Sequence, residues 1–242
     1  QTSEQVRLLM RVKQVLKERA LMLYAQPIHN REGEGYHEIL TRMRCGDSVI
    51  MPDQFIPLIV QFNLSQRFDM LVLETLFSVL HQHPGQRFSV NLLPATLMQK
   101  DSAVQIIALF QRYAVSPDLI TIEVTEEQAF SNADISQQNL EALRAFGCAI
   151  AIDDFGTGYA NYERLKHLQA DIIKIDGCFV RDILTDPLDA IMVKSIVEMA
   201  RAKQMSVVAE YVESEPQKAR LLELGVNYLQ GYLVGKPQPL GE

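Results

Sequence analysis

From Leu21 onward the chain alternates short apolar, β-branched runs with amphipathic stretches of helical period. Eight of these runs read as strands. The first four are "LMLYAQ" ending at Gln26, "EILTRM" beginning at Glu38, "FSVNLL" containing Asn91, and "LITIEVTE" containing Glu123. The next four are "CAIAIDD" ending in Asp153 and Asp154, "DIIKID" containing Lys174, "SVVAEYVE" containing Glu210, and "YLQGYLV" containing Gln230. From Asn91 on, the residues Asn91, Glu123, Asp153, Lys174, Glu210 and Gln230 are separated by 32, 30, 21, 36 and 20 positions. Each gap accommodates a crossover helix, so these strands are expected to run parallel. Helical stretches are expected over 101–113, 135–146, 159–168, 188–204 and 216–224. Ahead of them, "SEQVRLLMRVKQVLKER" over 3–19 places Val6, Leu9, Val12 and Leu16 at helical spacing. It reads equally as a helix leading into the domain or as the tail of a linker. The expected division is therefore a helix or linker over 1–19 and one domain over 20–242.

Eight strands alternating with helices predict a single (β/α)8 barrel of the TIM type, with a doubly wound open sheet as the alternative. The barrel is favoured because each strand carries a polar group near one end, as a catalytic rim requires. One junction breaks the alternation. Pro27 to His37 spans only 11 residues and includes Gly33 and Gly35, too little for a crossover helix. A hairpin is expected, so one of the first two strands should be antiparallel, and that reversal would bring Glu38 to the common rim.

Strand alternation then gathers the chemistry. Thr121 and Glu123 share one face, as do Ala151 with Asp153 and Ser89 with Asn91. Glu38, Asn91, Glu123, Asp153 and Asp154 would converge as a hard-oxygen set suited to Mg²⁺ or Mn²⁺ rather than zinc. Taken singly, each acid could be a cap or a surface ion pair, and Lys174 could pair with Asp176. Together, acidic or amide groups on four strands favour a metal site. In a pair of ions, Asp153 would bridge both and Asp154 would hold one, an arrangement that can clamp the oxygens of a phosphoryl displacement. Lys174 would stabilise phosphate charge or hydroxide, and Glu210 would orient or deprotonate water or ligate the second ion. Zinc signatures are absent, and His81 and His83 read as solvated surface residues. These residues alone leave phosphodiester hydrolysis and enolase-type proton abstraction both open.

Composition sets outer bounds. The chain has 242 residues, 48% of them hydrophobic, and a formal net charge of −7. That balance offers no basic field for a nucleic-acid polymer. It still permits a small anionic substrate, because bound divalent ions invert the local sign. Cys45, Cys148 and Cys178 form an odd, unpaired set that suits a reducing compartment. No signal-peptide pattern is present, and no apolar run reaches the roughly 18 residues of a spanning helix. The expectation is a soluble, cytoplasmic domain. Its start within a helical pattern leaves room for a longer parent anchored to the inner membrane.

The order of motifs carries a resemblance. "QPI" (26–28), "EIL" (38–40) with Arg42, "MPDQFIPL" (51–58), "SVNL" (89–92) and "IEVTE" (122–126) are followed by "DDFGTGY" (153–159). "IIKID" (172–176), "VVAEYVE" (207–213) and "QGY" (230–232) complete the series. In sequence and order the chain resembles the EAL-domain phosphodiesterases over roughly residues 20 to 240. The resemblance implies Mg²⁺- or Mn²⁺-dependent hydrolysis of cyclic di-GMP to linear pGpG on a barrel with one reversed strand, with two ions expected. It implies Glu38, Asn91, Glu123, Asp153 and Asp154 as metal ligands, and Lys174 and Glu210 as water-activating residues. Gln26, Arg42 and Gln230 match positions that contact the dinucleotide. Glu126 matches a glutamate that steadies the "DDFGTGY" loop, and Glu213 the second acid of an "AEGVE" pattern. Gly156 and Gly158 are read as letting that loop bend.

Several residues depart from the pattern. Ile39 replaces the central Ala, and Ala160 and Asn161 replace small serines after "GTGY". Tyr211 stands in place of Gly between Glu210 and Val212, a bulk expected to narrow the rim or alter loop movement. The alternatives are a catalytically silent cyclic di-GMP receptor and a protein-interaction module, although every expected ligand is present. The resemblance further implies a homodimer and, in a longer parent, an upstream GGDEF or sensory domain.

Overall fold

The computed structural model describes residues 2–131, 134–157 and 162–241. Gly158, Tyr159, Ala160 and Asn161 lie outside the described residues, so the readings placed on them have no structural counterpart here. The chain opens on α1 (Ser3–Glu18), which starts at a capping box between Thr2 and Gln5. Its Val12, Val15 and Leu16 are buried and Leu9 packs against the core, whereas Val6 is exposed, so the expected apolar stripe packs from Leu9 onward.

Next come β1 (Leu21–His29), β2 (Gly35–Cys45), β3 (Ser48–Ile50), α2 (Pro52–Gln61) and α3 (Ser65–Val79). Then follow β4 (Phe88–Asn91), α4 (Pro94–Leu97), α5 (Ser102–Arg112), β5 (Ile120–Thr125), α6 (Glu126–Ala129) and α7 (Asp134–Phe146). The chain continues through β6 (Ala149–Phe155), α8 (Tyr162–His167), β7 (Ile172–Ile175), α9 (Pro187–Ala202) and β8 (Ser206–Ala209). It ends with α10 (Glu215–Glu223), β9 (Tyr228–Gln230) and β10 (Gln238–Pro239). Helices α2 and α3 were not anticipated. Pro57 lies inside α2, and α3 buries residues around much of its circumference, which blurs a helical stripe.

Strands β1, β2 and β4 to β9 close into an eight-stranded barrel. From β2 through β4 to β9 every neighbouring pair is parallel. β1 closes the ring antiparallel to both β2 and β9. The reversed strand is thus β1, and Glu38 lies on a strand that runs with the majority. Glu38 reaches the site by stagger: it pairs with Ser89, two residues before Asn91, while Asn91 pairs with Glu123. A tilted, sheared barrel brings the early part of one strand level with the end of another.

Outward-facing residues such as Ile122, Val124, Ile150, Ile152, Ile173 and Val207 join the helices in one large core. Ile39 belongs to that core and is buried, so the departure beside Glu38 affects helix packing on the opposite strand face. A second cluster of Ile28, Tyr36 and Val208, with Ile172 and Tyr228 against it, fills the barrel interior. Each of these five lies two residues from Gln26, Glu38, Glu210, Lys174 or Gln230, so it forms the layer directly beneath them. Among the described residues, no helix is long and apolar enough to cross a membrane. The three cysteines are free.

Candidate active site

Lys174 is the hub of the barrel mouth. Its side chain is fully buried, and its ammonium contacts Glu38 Oε1 closely. It also lies 3.0 Å from Glu123 Oε1, 3.3 Å from Glu123 Oε2 and 3.4 Å from Glu210 Oε1. Burial alone would lower the Lys174 pKa, but Glu123, Glu38, Glu210 and Asp153 outweigh it and hold the pKa well above the usual value. The pairing with Asp176 considered for Lys174 is not the one formed. Asp176 instead accepts a hydrogen bond from the Cys178 amide at the start of the following turn.

Amides brace this ion cluster. Asn91 Nδ2 donates to Glu38 Oε2 at 3.4 Å, and Gln230 Nε2 donates to Glu38 Oε1 at 3.3 Å. Gln230 Nε2 also donates to Gln26 Oε1 at 3.1 Å, and Gln26 Nε2 donates to the Gly235 carbonyl at 3.2 Å. Residues from opposite ends of the chain are thereby joined across the β1–β9 closure.

Asp153 and Asp154 sit at an irregularity. The pairing of β6 with β7 shifts between Ile152 and Phe155, and Asp154 adopts φ 53°. Adjacent residues of a regular strand face opposite sides, so alternation alone could not place both carboxylates together. The bulge and the left-handed residue re-aim the pair. Asp153, Asp154 and Glu210 each offer an oxygen, and these atoms all lie within 4.8 Å of one another. Burial and the neighbouring Asp153 and Asp176 push the Asp154 pKa up to about 6. Burial likewise raises Glu210, opposed by Lys174 and reinforced by a hydrogen bond shared with Asp153. Glu123, completely buried beside Glu38, is also raised well above the carboxylate range despite Lys174. Crowded, elevated carboxylates of this kind form an all-oxygen donor set that a hard divalent cation fits. Glu210 stands at the junction of that triad and the lysine cluster.

The remaining expected residues are more peripheral. Glu126 Oε2 accepts a hydrogen bond from the Gly156 amide at 3.1 Å. Gly156 has φ +101°, and a Cβ there would stand 2.5 Å from the Phe179 ring, so both backbone and space require glycine. The Glu213 side chain is exposed, while its amide donates to Gln217 Oε1 at 2.8 Å. Arg42 lies four residues beyond Glu38 on β2, with its guanidinium over the Tyr24 ring at 5.2 Å and on the Thr41 carbonyl at 2.8 Å. His81 is exposed, but His83 is half-buried and meets the Phe88 ring edge-on.

Sequence reasoning overlooked one supporting acid. Asp69 on α3 is buried, and its Oδ2 accepts from the Leu93 amide at 2.8 Å and closely from Thr96 Oγ1. It thereby fixes the turn that follows Asn91. An isolated Asp within an apolar helical stretch was the available signal. A separate groove of about 1300 Å³, lined by Arg144, Ile150, Glu163 and Asp171, shares no residue with the carboxylate cluster.

A closed barrel with one reversed strand and an acid-rich mouth around a buried lysine defines the class as a TIM-type barrel with a carboxylate cluster at its mouth. The EAL domain family model matches residues 10–237, and the chain belongs to that family. It is 60% identical over 246 residues to "Probable cyclic di-GMP phosphodiesterase PdeA" of Escherichia coli (strain K12), covering 100% of this chain and 34% of the relative. It is 44% identical to "Cyclic di-GMP phosphodiesterase PdeF" of the same organism, covering 98% of this chain and 32% of the relative. The chain thus spans about a third of the length of these curated relatives. Among solved structures, "PaMucR Phosphodiesterase, c-di-GMP complex" superposes with a TM-score of 0.88 at 34% identity, over 96% of this chain and 98% of that one. The Xanthomonas citri FimX EAL domain shares the fold, with a TM-score of 0.90 at 21% identity over 98% of this chain and 95% of that one.

Proposed function

We propose that this chain hydrolyses cyclic di-GMP to linear pGpG at the mouth of its barrel. The observation that carries the reading is the convergence of Glu38, Asn91, Glu123, Asp153, Asp154, Lys174 and Glu210, in the order of the family's motifs, on one cluster. The names of the relatives support the substrate, and the donor set supports Mg²⁺ or Mn²⁺ held by Asp153 and Asp154 with Glu38, Asn91 and Glu123. Bound there, such ions would supply charge neutralisation at the phosphodiester and a more acidic water.

The protein's own residues do the rest. Water adds to phosphorus and one P–O ester bond breaks; Glu210 takes the water's proton, and that proton is then passed to the departing oxygen, which leaves as a hydroxyl. Burial raises the Glu210 pKa, which makes it a stronger proton acceptor than an ordinary carboxylate. Lys174, locked by three carboxylates, holds Glu38 and Glu123 in place and offsets the negative charge that gathers during attack. Gln26, Arg42 and Gln230 would contact the dinucleotide, while Glu126 and Glu213 would support the loops beside it. The domain would act as a homodimer in the cytoplasm, within a longer parent carrying a GGDEF or sensory domain.

Incubating the purified chain with cyclic di-GMP and Mg²⁺ or Mn²⁺, followed by chromatography, tests this directly. The expected product is pGpG. Binding without turnover would make the chain a receptor, and the absence of binding would make it an interaction module. Glu210→Ala is expected to abolish turnover and retain nucleotide binding; undiminished turnover would reject the assignment of Glu210.

A further inference from the structure

Tyr211 combines features that neither the barrel nor the acid cluster requires. It follows Glu210 directly and precedes Val212, both of which are buried, yet its own side chain is 68% exposed. Its backbone adopts φ 61°, the left-handed region that bulky residues rarely occupy. Strain of that kind concentrates at functional sites, where the surrounding structure holds it in place. The ring rests on the backbone of Gly177: a Cβ added there would stand 2.3 Å from Tyr211 Cδ2 and 2.8 Å from Cγ. Gly177 itself has no left-handed φ, so the ring, and not the backbone conformation, excludes a side chain at that position. The phenol is close enough to Glu210, Asp154, Asp176 and Asp153 that, after burial, these acids raise its pKa. An anchored aromatic surface therefore stands open to solvent at the edge of the carboxylate cluster.

We propose that Tyr211 is a stacking platform for a purine base flanking the scissile phosphodiester, with Gly177 as its seat. The proposal rests on the cyclic di-GMP reading above and adds a base-binding residue to it. A planar nucleobase suits the site because every base presents a π-face, whereas the acids around the ring repel phosphate unless cations intervene. Both backbone neighbours are held, so the ring loses little freedom when a base settles on it.

Kinetics and calorimetry with cyclic di-GMP test the idea in wild type, Tyr211→Phe, Tyr211→Asn and Tyr211→Gly. Asn and Gly both accept a left-handed backbone, so neither is expected to unfold the chain. Loss of one base stack corresponds to a roughly ten-fold weaker dissociation constant and higher KM, with kcat within about two-fold. Phe should match wild type. Gly177→Ala should weaken binding in the wild-type background and have no effect on Tyr211→Gly, since only the ring is displaced. Unchanged or tighter binding by both Tyr211→Asn and Tyr211→Gly would overturn the platform and leave Tyr211 a steric constriction. Wild-type turnover with such unchanged binding keeps the hydrolase reading and rejects the platform. Wild-type binding without turnover, lost in Tyr211→Gly, does the reverse. No binding by wild type rejects both.

Discussion

Replacing Lys174 by methionine removes the ammonium while keeping most of the side chain's length and apolar volume, so packing beneath it is preserved. Glu38, Glu123 and Glu210 then lose their shared cation in a position where Glu123 is fully buried and Glu38 and Glu210 nearly so. Removing one partner of a buried ion network costs about 3–5 kcal/mol, because the stranded charges remain desolvated. For a chain of this size each kcal/mol lowers Tm by roughly 2–4 °C, so the metal-free variant should melt about 6–20 °C lower at pH 8. The deficit should depend on pH with a definite sign. Glu123 is already raised by burial and by Glu38, with Lys174 opposing that rise, so the variant raises it further. A carboxylate whose folded pKa exceeds its unfolded value binds more protons when folded, so stability falls as pH climbs from the unfolded pKa through the folded one. The variant should therefore recover part of the deficit at pH 5. Circular dichroism melts in the presence of EDTA at pH 5 and pH 8 read both quantities. A Tm at pH 8 within ~2 °C of wild type, less than the shift from 1 kcal/mol, would refute the ion-cluster account.

Other perturbations probe separate parts of the site. Asp69→Leu orphans the Leu93 amide and the Thr96 hydroxyl and should cost about 2–4 kcal/mol in urea unfolding. Asp69→Asn keeps an acceptor and should remain folded. Burial raises Asp69 to about 7, so Asn should also remove a loss of stability that wild type suffers as pH rises from about 4 to 7. Mn²⁺ at about 100 times its dissociation constant should stabilise the chain by about 2.7 kcal/mol at pH 8. That gain should shrink below pH 6, as Asp154 takes up a proton, and a pH-independent melting shift would exclude Asp154 as a ligand. Gly231 has φ +154°, and a Cβ there would lie 2.2 Å from the Val212 carbonyl oxygen. Gly231→Ala should therefore displace the end of β9, lower stability by at least about 1–3 kcal/mol and weaken nucleotide binding through Gln230; an unchanged urea midpoint would contradict the close approach.

Local patterning was enough to reveal the eight barrel strands, the parallel order from β4 to β9 and the inward face that carries Asn91, Glu123 and Asp153. These features rest on period-two alternation and on crossover lengths, which neighbouring residues encode. Local patterning also demanded a hairpin between the first two strands, because a helix cannot fit between Pro27 and His37. It could not say that β1 is the strand that reverses, since a hairpin is symmetric in that respect and only the pairings of β2 with β4 and of β1 with β9 break the tie. Helix α3 escaped because burial on several sides erased its stripe, and α2 because Pro57 lies inside it. Both carboxylates of the Asp153–Asp154 pair meet Glu210 only through a bulge and a left-handed residue, neither of which alternation contains. The partners of Lys174 come from strands up to 136 residues away, and Tyr211 finds its seat on Gly177 across a separate loop. Hydrophobic period is a property of adjacent residues and survives in one dimension. Charge pairing, stagger and close approach are distances between segments, and they exist only once the barrel has closed.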